Sequence, residues 1–165
     1  MTPTDYKDII SKTAVFPRKV EDFGLAYCLI GLFDEFLEVD EKVVDGAKRE
    51  DILSEVGDVL WYLCALCNEL DLSFEDIISN PKNLGKDYSP FKLFGIVKKH
   101  YRDGKVINKE LVTNYLINFT SYTFNISNVT KIDVEDILEN NYKKLIARRE
   151  TNTLHGDGDN REKIA

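Results

Sequence analysis

The chain has 165 residues, 43% hydrophobic and 31% charged, with a formal net charge of −7 at pH 7; that length and apolar content suit one compact domain with a real core. Nine Gly and four Pro exclude a fibrous or low-complexity chain. The acidic balance excludes a general nucleic-acid grip, which needs a basic face, and leaves room only for a local basic pocket around one small phosphate ligand.

The first thirty residues lack a basic segment followed by an unbroken apolar core, and no apolar stretch approaches the roughly 18–20 residues of a membrane helix. Cys28, Cys64 and Cys67 are odd in number and sit among apolar residues, so reduced thiols and a cytoplasmic location are expected. Cys64-x-x-Cys67 has no second CxxC or CxxH partner and reads as core packing inside a helix.

Periodicity predicts an all-α fold. A helix is expected from about Glu21 to Val44, with Phe23, Ala26, Tyr27, Ile30, Phe33 and Leu37 at helical spacing. "VDGAKRED" supplies a turn, and Asp51 is the expected cap of a second helix over about Ile52–Leu70. Ser73, with Asp76 three residues on, predicts the start of a third, which Pro81 and "NLGKDYSP" end. "FKLFGIVKKHYRDGK" reads as a shorter helix and turn, and "NKELVTNYLINFTSYTFNIS" as a long helix despite its Thr, Asn and aromatic content. "KIDVEDILENNYKKLIARRE" predicts a last helix capped by Asp133, and "TNTLHGDGDNREKIA" an exposed tail.

Two stretches repeat. "DLSFEDIISNPKNL" and "KIDVEDILENNYKKL" share EDI, Asn, Lys and Leu in order, and "LIGLFDEFLEV" aligns with "LFGIVKKHYRD" at a common Leu-x-Gly. The expectation is an internal duplication, a catalytic half over about 13–80 and a degenerate half over about 90–150. Under that alignment Glu35 meets Lys99, Glu38 meets Arg102, Glu55 meets Tyr115 and Asp58 meets Asn118. The second copy has lost every acid that the first retains.

Those acids are the chemically pointed feature. Residues three apart on a helix lie on one face, about 5–6 Å between Cβ atoms, so Glu35 pairs with Glu38 and Glu55 with Asp58. If the two helices pack antiparallel, the pairs meet, and clustered carboxylates take up protons or recruit cations. An all-oxygen donor set favours Mg2+, with Mn2+ as the alternative, over zinc. A di-iron bundle wants Glu-x-x-His motifs, which His100 and His155 do not form. Clustered Mg2+ with open positions suits phosphoryl chemistry. Asn141, Lys144 and Arg148 lie on one helical stripe that can meet a phosphate, although the bland alternative is a solvated helix end. Lys98, Lys99 and Arg102 fit a solvated basic face better than a triphosphate contact.

At these residues the sequence resembles the MazG family of all-α nucleoside triphosphate pyrophosphohydrolases. Glu35-Phe36-Leu37-Glu38, Glu55-Val56-Gly57-Asp58 and Asn141-Tyr142-Lys143-Lys144-Leu145-Ile146-Ala147-Arg148 match its E-x-x-E, E-x-x-D and Asn-x-x-Lys-Leu-x-x-Arg motifs. "TAVFP", "GDVLWYL", "LDLSFEDI" and "LHGDGDNR" look like bacterial and phage members. The resemblance implies Mg2+-dependent cleavage of a nucleoside triphosphate between the α and β phosphates. It implies Glu35, Glu38, Glu55 and Asp58 as metal ligands, Glu38 or Glu35 as the residue that activates water, and Asp34 as an outer acid. Asn141, Lys144 and Arg148 would hold the phosphates.

The chain departs from that pattern at Asp34 and Leu37, where members often carry Gly. About sixty residues also separate the acids from the Asn-Lys-Leu helix. One acidic site per chain is therefore expected, in a tandem pseudo-dimer similar in plan to the dimeric all-α dUTPases. Tyr27, Trp61, Tyr62 and Tyr122 are candidates for stacking on a base, with core packing the blander role. Further homo-oligomerisation is an open expectation. A phosphoribosyl-ATP pyrophosphohydrolase and a non-catalytic helical interaction protein are the alternative functions.

Overall fold

The computed structural model describes residues 1–13 and 23–151, and among them it contains seven α-helices and no strand. The first helix, α1 (Pro3–Thr13), was not anticipated. Thr2 starts it: its hydroxyl accepts from the Asp5 backbone N–H and donates to the Asp5 carboxylate, and Pro3 takes the first helical position, where its missing N–H is no loss. Tyr6 and Ile10, one turn apart, are fully buried.

α2 (Phe23–Val44) and α3 (Arg49–Leu70) form the central antiparallel pair. Their connection is a tight turn in which Gly46 adopts a positive φ of 66°, a conformation glycine enters without steric cost. α3 starts earlier than the sequence suggests. Arg49 is its first residue and Lys48 its cap position, so Asp51 lies in the first turn, where it favours the positive end of the helix dipole without capping it.

α4 (Phe74–Ser79) is capped as expected, with the Asp76 N–H donating to Ser73 Oγ at 3.2 Å. After Pro81 the chain makes a single 3-10 turn at Lys86–Tyr88. Then come α5 (Lys92–Asp103), α6 (Lys109–Ile126, capped by the Asn108 side chain) and α7 (Lys131–Glu150). The cap of α7 is Thr130, not Asp133. Asp133 is the reciprocal partner three residues in, accepting from the Thr130 backbone N–H at 2.7 Å and the Thr130 hydroxyl at 2.7 Å.

The core runs through the centre of the bundle. Leu32, Leu60, Leu63, Leu66, Phe74, Ile77, Leu116, Phe119 and Leu138 are essentially inaccessible, and truncating any such leucine to Ala would cost about 2–5 kcal/mol. Phe33 and Phe36 of α2 meet Phe119 of α6 in tilted ring contacts, joining the first helix pair to the second. All three cysteines are free and buried. Burial pushes the Cys67 thiol up to about 12 and raises the Cys64 thiol as well, which disfavours the reactive thiolate at both.

Helix α4 packs on α6, whereas α7 packs on α3, with α1 against α3, α4 and α7. The helix that follows the α2–α3 pair therefore meets α6, and the helix that follows the α5–α6 pair meets α3. That exchange brings the stripe of α7 to the acids of α2 and α3.

Candidate acidic site

Glu35, Glu55 and Asp58 converge, with one carboxylate oxygen of each lying within 4.8 Å of the others. Their helices explain why. α2 and α3 run antiparallel in a register that sets residue 35 near residue 58, as it sets Gly31 against Tyr62, and Glu55 and Asp58 are successive turns of one face. Glu55 is 4% exposed. Glu35 and Asp58 are half-buried. Glu38, one turn beyond Glu35, is exposed and stands at the rim, outside the converging group, and Asp34 is exposed as well.

Helix α7 closes the floor. Asn141 is buried and donates from Nδ2 to Asp58 Oδ1 at 2.8 Å, while its Oδ1 accepts from the Tyr6 hydroxyl at 2.5 Å. Lys144, one turn on, places Nζ 2.5 Å from Asp58 Oδ2 and 3.3 Å from Ser54 Oγ. Arg148 is half-exposed a further turn along. Gly57 permits this approach: a Cβ there would stand 3.1 Å from Asn141 Cβ. On the α2 side Lys42 Nζ lies 2.5 Å from Glu55 Oε1.

The electrostatics follow from this crowding. Burial first, then the charges of Asp58, Glu38 and Glu55, push the Glu35 carboxyl up to about 8 against the pull of Lys144. Glu38 is raised for similar reasons: burial, then Glu55, Asp34 and Asp58, opposed by Lys42. Burial also lifts the Tyr6 phenol well above its ordinary range, with help from Cys64 and Asp58. At neutral pH the Glu35 position holds a proton that a divalent cation can displace, and the donors are oxygen throughout, as Mg2+ prefers. The residues present fit that ion.

One turn below the acids stands an aromatic wall. Tyr62, one turn after Asp58, lies over Gly31, one turn before Glu35, and no side chain could replace that glycine without moving the ring. Tyr27 flanks it, with the two hydroxyls 3.4 Å apart, and Trp61 meets it edge-on. Tyr122 is elsewhere, against Phe36. A cleft of about 270 Å³ runs between α3 and α7 past Ser54, Gly57, Asn140 and Lys144.

The structure thus gathers Glu35, Glu55, Asp58, Asn141 and Lys144, leaves Glu38 at the rim, and sets Arg148 further out. Lys98 and Lys99 are exposed, and Arg102 bonds Asp103 at 2.7 Å through Nε. His100 is half-exposed, its Nδ1 2.9 Å from the Lys105 carbonyl. Apart from Thr13, "TAVFP" lies outside the described residues, and so do "LHGDGDNR" and His155. Two site residues escaped the sequence reading. Tyr6 is signalled only by Tyr6-x-x-Ile9-Ile10 behind a capping box; Lys42 is signalled by its place one turn after Glu38.

The described residues form an all-α bundle with a carboxylate cluster on two adjacent helices and a cationic stripe from a third. The family model for the MazG nucleotide pyrophosphohydrolase domain matches residues 25–83. "Gene 37 protein" of Mycobacterium phage L5 is 33% identical over 96 residues, covering 49% of this chain and 81% of that protein. No solved structure matches. The chain belongs to the MazG nucleotide pyrophosphohydrolase family. The matched segment carries all four acids and ends before α7. No helix among the described residues is long and apolar enough to cross a membrane.

Proposed function

We propose that the chain is a Mg2+-dependent nucleoside triphosphate pyrophosphohydrolase, with one site per chain, built from the acids of α2 and α3 and the α7 stripe of a degenerate second half. The observation that carries this reading is the convergence of Glu35, Glu55 and Asp58 within 4.8 Å beneath Lys144. Mg2+ held by these acids and by Glu38 at the rim would act as a Lewis acid toward phosphate oxygens and lower the pKa of a bound water.

The chain's own residues do the rest. Asn141 and Tyr6 hold Asp58 in one orientation, so the acid face is preorganised. Lys144 and Arg148 draw the polyphosphate toward that face, and Tyr27 and Tyr62 offer a ring surface one turn away for the base. Glu38, exposed and raised, or Glu35 once the cation has displaced its proton, takes the proton of the attacking water. The water oxygen bonds to the α-phosphorus, the bond to the bridging oxygen breaks, and pyrophosphate leaves beside the monophosphate.

A cytoplasmic role in nucleotide-pool control fits this chemistry. A non-catalytic bundle is the second reading, favoured by the ion pairs Lys42–Glu55 and Lys144–Asp58, which neutralise two acids without any metal.

Release of pyrophosphate from a panel of ribo- and deoxynucleoside triphosphates separates the two. The wild type with Mg2+ is expected to be active, and Glu55→Gln inactive with its fold intact. A folded wild type that cleaves nothing on the panel would favour the non-catalytic bundle.

A further inference from the structure

Lys42 lies one turn beyond Glu38 on α2 and reaches across to Glu55 on α3. Its side chain is 33% exposed, whereas that of Glu55 is 5% exposed, so the ammonium sits at the mouth of the groove with the acid beneath. Lys144 serves Asp58 in the same way from α7. Glu55 and Asp58, the two α3 acids of the site, therefore each have an ammonium on one oxygen, delivered by different neighbouring helices. A buried carboxylate without a counter-ion is strongly destabilising, and these lysines supply that counter-ion in a metal-free bundle. They also occupy oxygen atoms that a divalent cation would need.

The two lysines are not equivalent. Asp58 is fixed by Asn141, and Lys144 also reaches Ser54, so that corner is braced from several sides. Lys42 stands nearer solvent on a flexible four-carbon stem that can swing without moving its helix.

We propose that Lys42 is an exchangeable counter-ion of the acidic site: it neutralises Glu55 when no divalent cation is bound, yields that carboxylate when the cation binds, and then pairs with the polyphosphate. This rests on the function proposed above. Charge balance gives the exchange its direction. Once divalent cations satisfy the carboxylates, the ammonium groups of Lys42 and Lys144 become surplus positive charge at the groove, where a polyanion arrives.

The test is a Mn2+ titration of the full chain without nucleotide, followed by electron paramagnetic resonance. Wild type, Lys42→Met and Lys42→Arg are compared, with kcat and KM for the best triphosphate measured alongside. Lys42→Met should bind Mn2+ about tenfold tighter, because the competing cation is gone, and should raise KM about tenfold with kcat nearly unchanged. Lys42→Arg should return both values toward wild type. A Mn2+ affinity equal to or weaker than wild type in Lys42→Met, or an unchanged KM, would overturn the exchange. If Lys42→Met fails to fold, Lys42→Gln carries the same comparison. A wild type that binds no Mn2+ removes both the exchange and the acidic-site reading; one that binds and turns over while the variants match it removes the exchange alone.

Discussion

Under the proposed duplication the α2–α3 pair and the α5–α6 pair are counterparts, and the positions that would correspond are used in opposite ways. On the first pair Glu35, Glu55 and Asp58 face a groove into which α7 delivers Asn141 and Lys144. On the second, Lys99 and Arg102 point to solvent, Tyr115 is buried against Tyr88, and Asn118 accepts from the Leu84 N–H at 2.7 Å and donates to the Tyr88 carbonyl at 3.1 Å. The proposed counterparts serve two purposes: Asp58 anchors Asn141 and Lys144 of α7, and Asn118 pins the loop that carries Leu84 and Tyr88.

The sharpest way to break that comparison is to exchange the two side chains. Asp58→Asn should lower pyrophosphate release about 10³-fold, the scale of losing one preorganised electrostatic contact at a reacting centre. Asn118→Asp should leave turnover within about threefold while lowering Tm by roughly 3–10 °C, because a carboxylate cannot donate to the Tyr88 carbonyl. If Asn118→Asp abolished turnover as Asp58→Asn does, the second half would be part of the site and not its scaffold.

A second contrast is titration, since the acids lie on the first pair only. Glu35 has its pKa raised from 4.5 in the unfolded chain to about 8 in the folded one. Between those values the folded state holds a proton that the unfolded state has lost. Stability without metal therefore falls as pH rises through that window and levels off above it. The loss is roughly 2–4 kcal/mol, allowing for water that reaches a half-buried group. Thermal melts from pH 5 to 9 in chelator should show the decline in wild type and a much flatter profile in Glu35→Gln. With Mg2+ present, stabilisation should grow with pH, because the ion replaces the proton. Equal slopes for wild type and Glu35→Gln would remove Glu35 as the source.

The long helices and their acids were legible in the sequence because the apolar period is strong and Glu35, Glu55 and Asp58 interrupt it. Burial could not be read the same way. Glu38 has the same spacing as its neighbours, yet it falls on the exposed edge of α2, and only the rotation of α2 against α3 decides that. The caps Asp51 and Asp133 were misplaced by a few residues because an acid in the first turn and an acid at the cap look alike in a string. Asn141 and Lys144 were legible as one stripe of α7, but that both would bond Asp58 was not, because that contact depends on how α7 packs against α3. Tyr6 was invisible because its partner is 135 residues away.

That distant contact gives the smallest and most selective of the expected effects. Tyr6 is fully buried, and its hydroxyl donates to the Oδ1 of Asn141, whose Nδ2 in turn holds Asp58. Tyr6→Phe removes one oxygen and leaves the ring stacked on Phe74, so the apolar packing survives. What remains is a buried amide oxygen without a donor, a loss of about 1–3 kcal/mol, or roughly 2–10 °C in Tm. Flipping the amide does not help, because it turns Oδ1 toward Asp58 Oδ1 and replaces a hydrogen bond by a repulsion. The damage therefore passes through Asn141 to the acid site, and kcat should fall by about three- to tenfold with little change in KM. A variant that loses stability with kcat intact would show that Asn141 holds Asp58 without help from α1, and the first helix would then belong to the core alone.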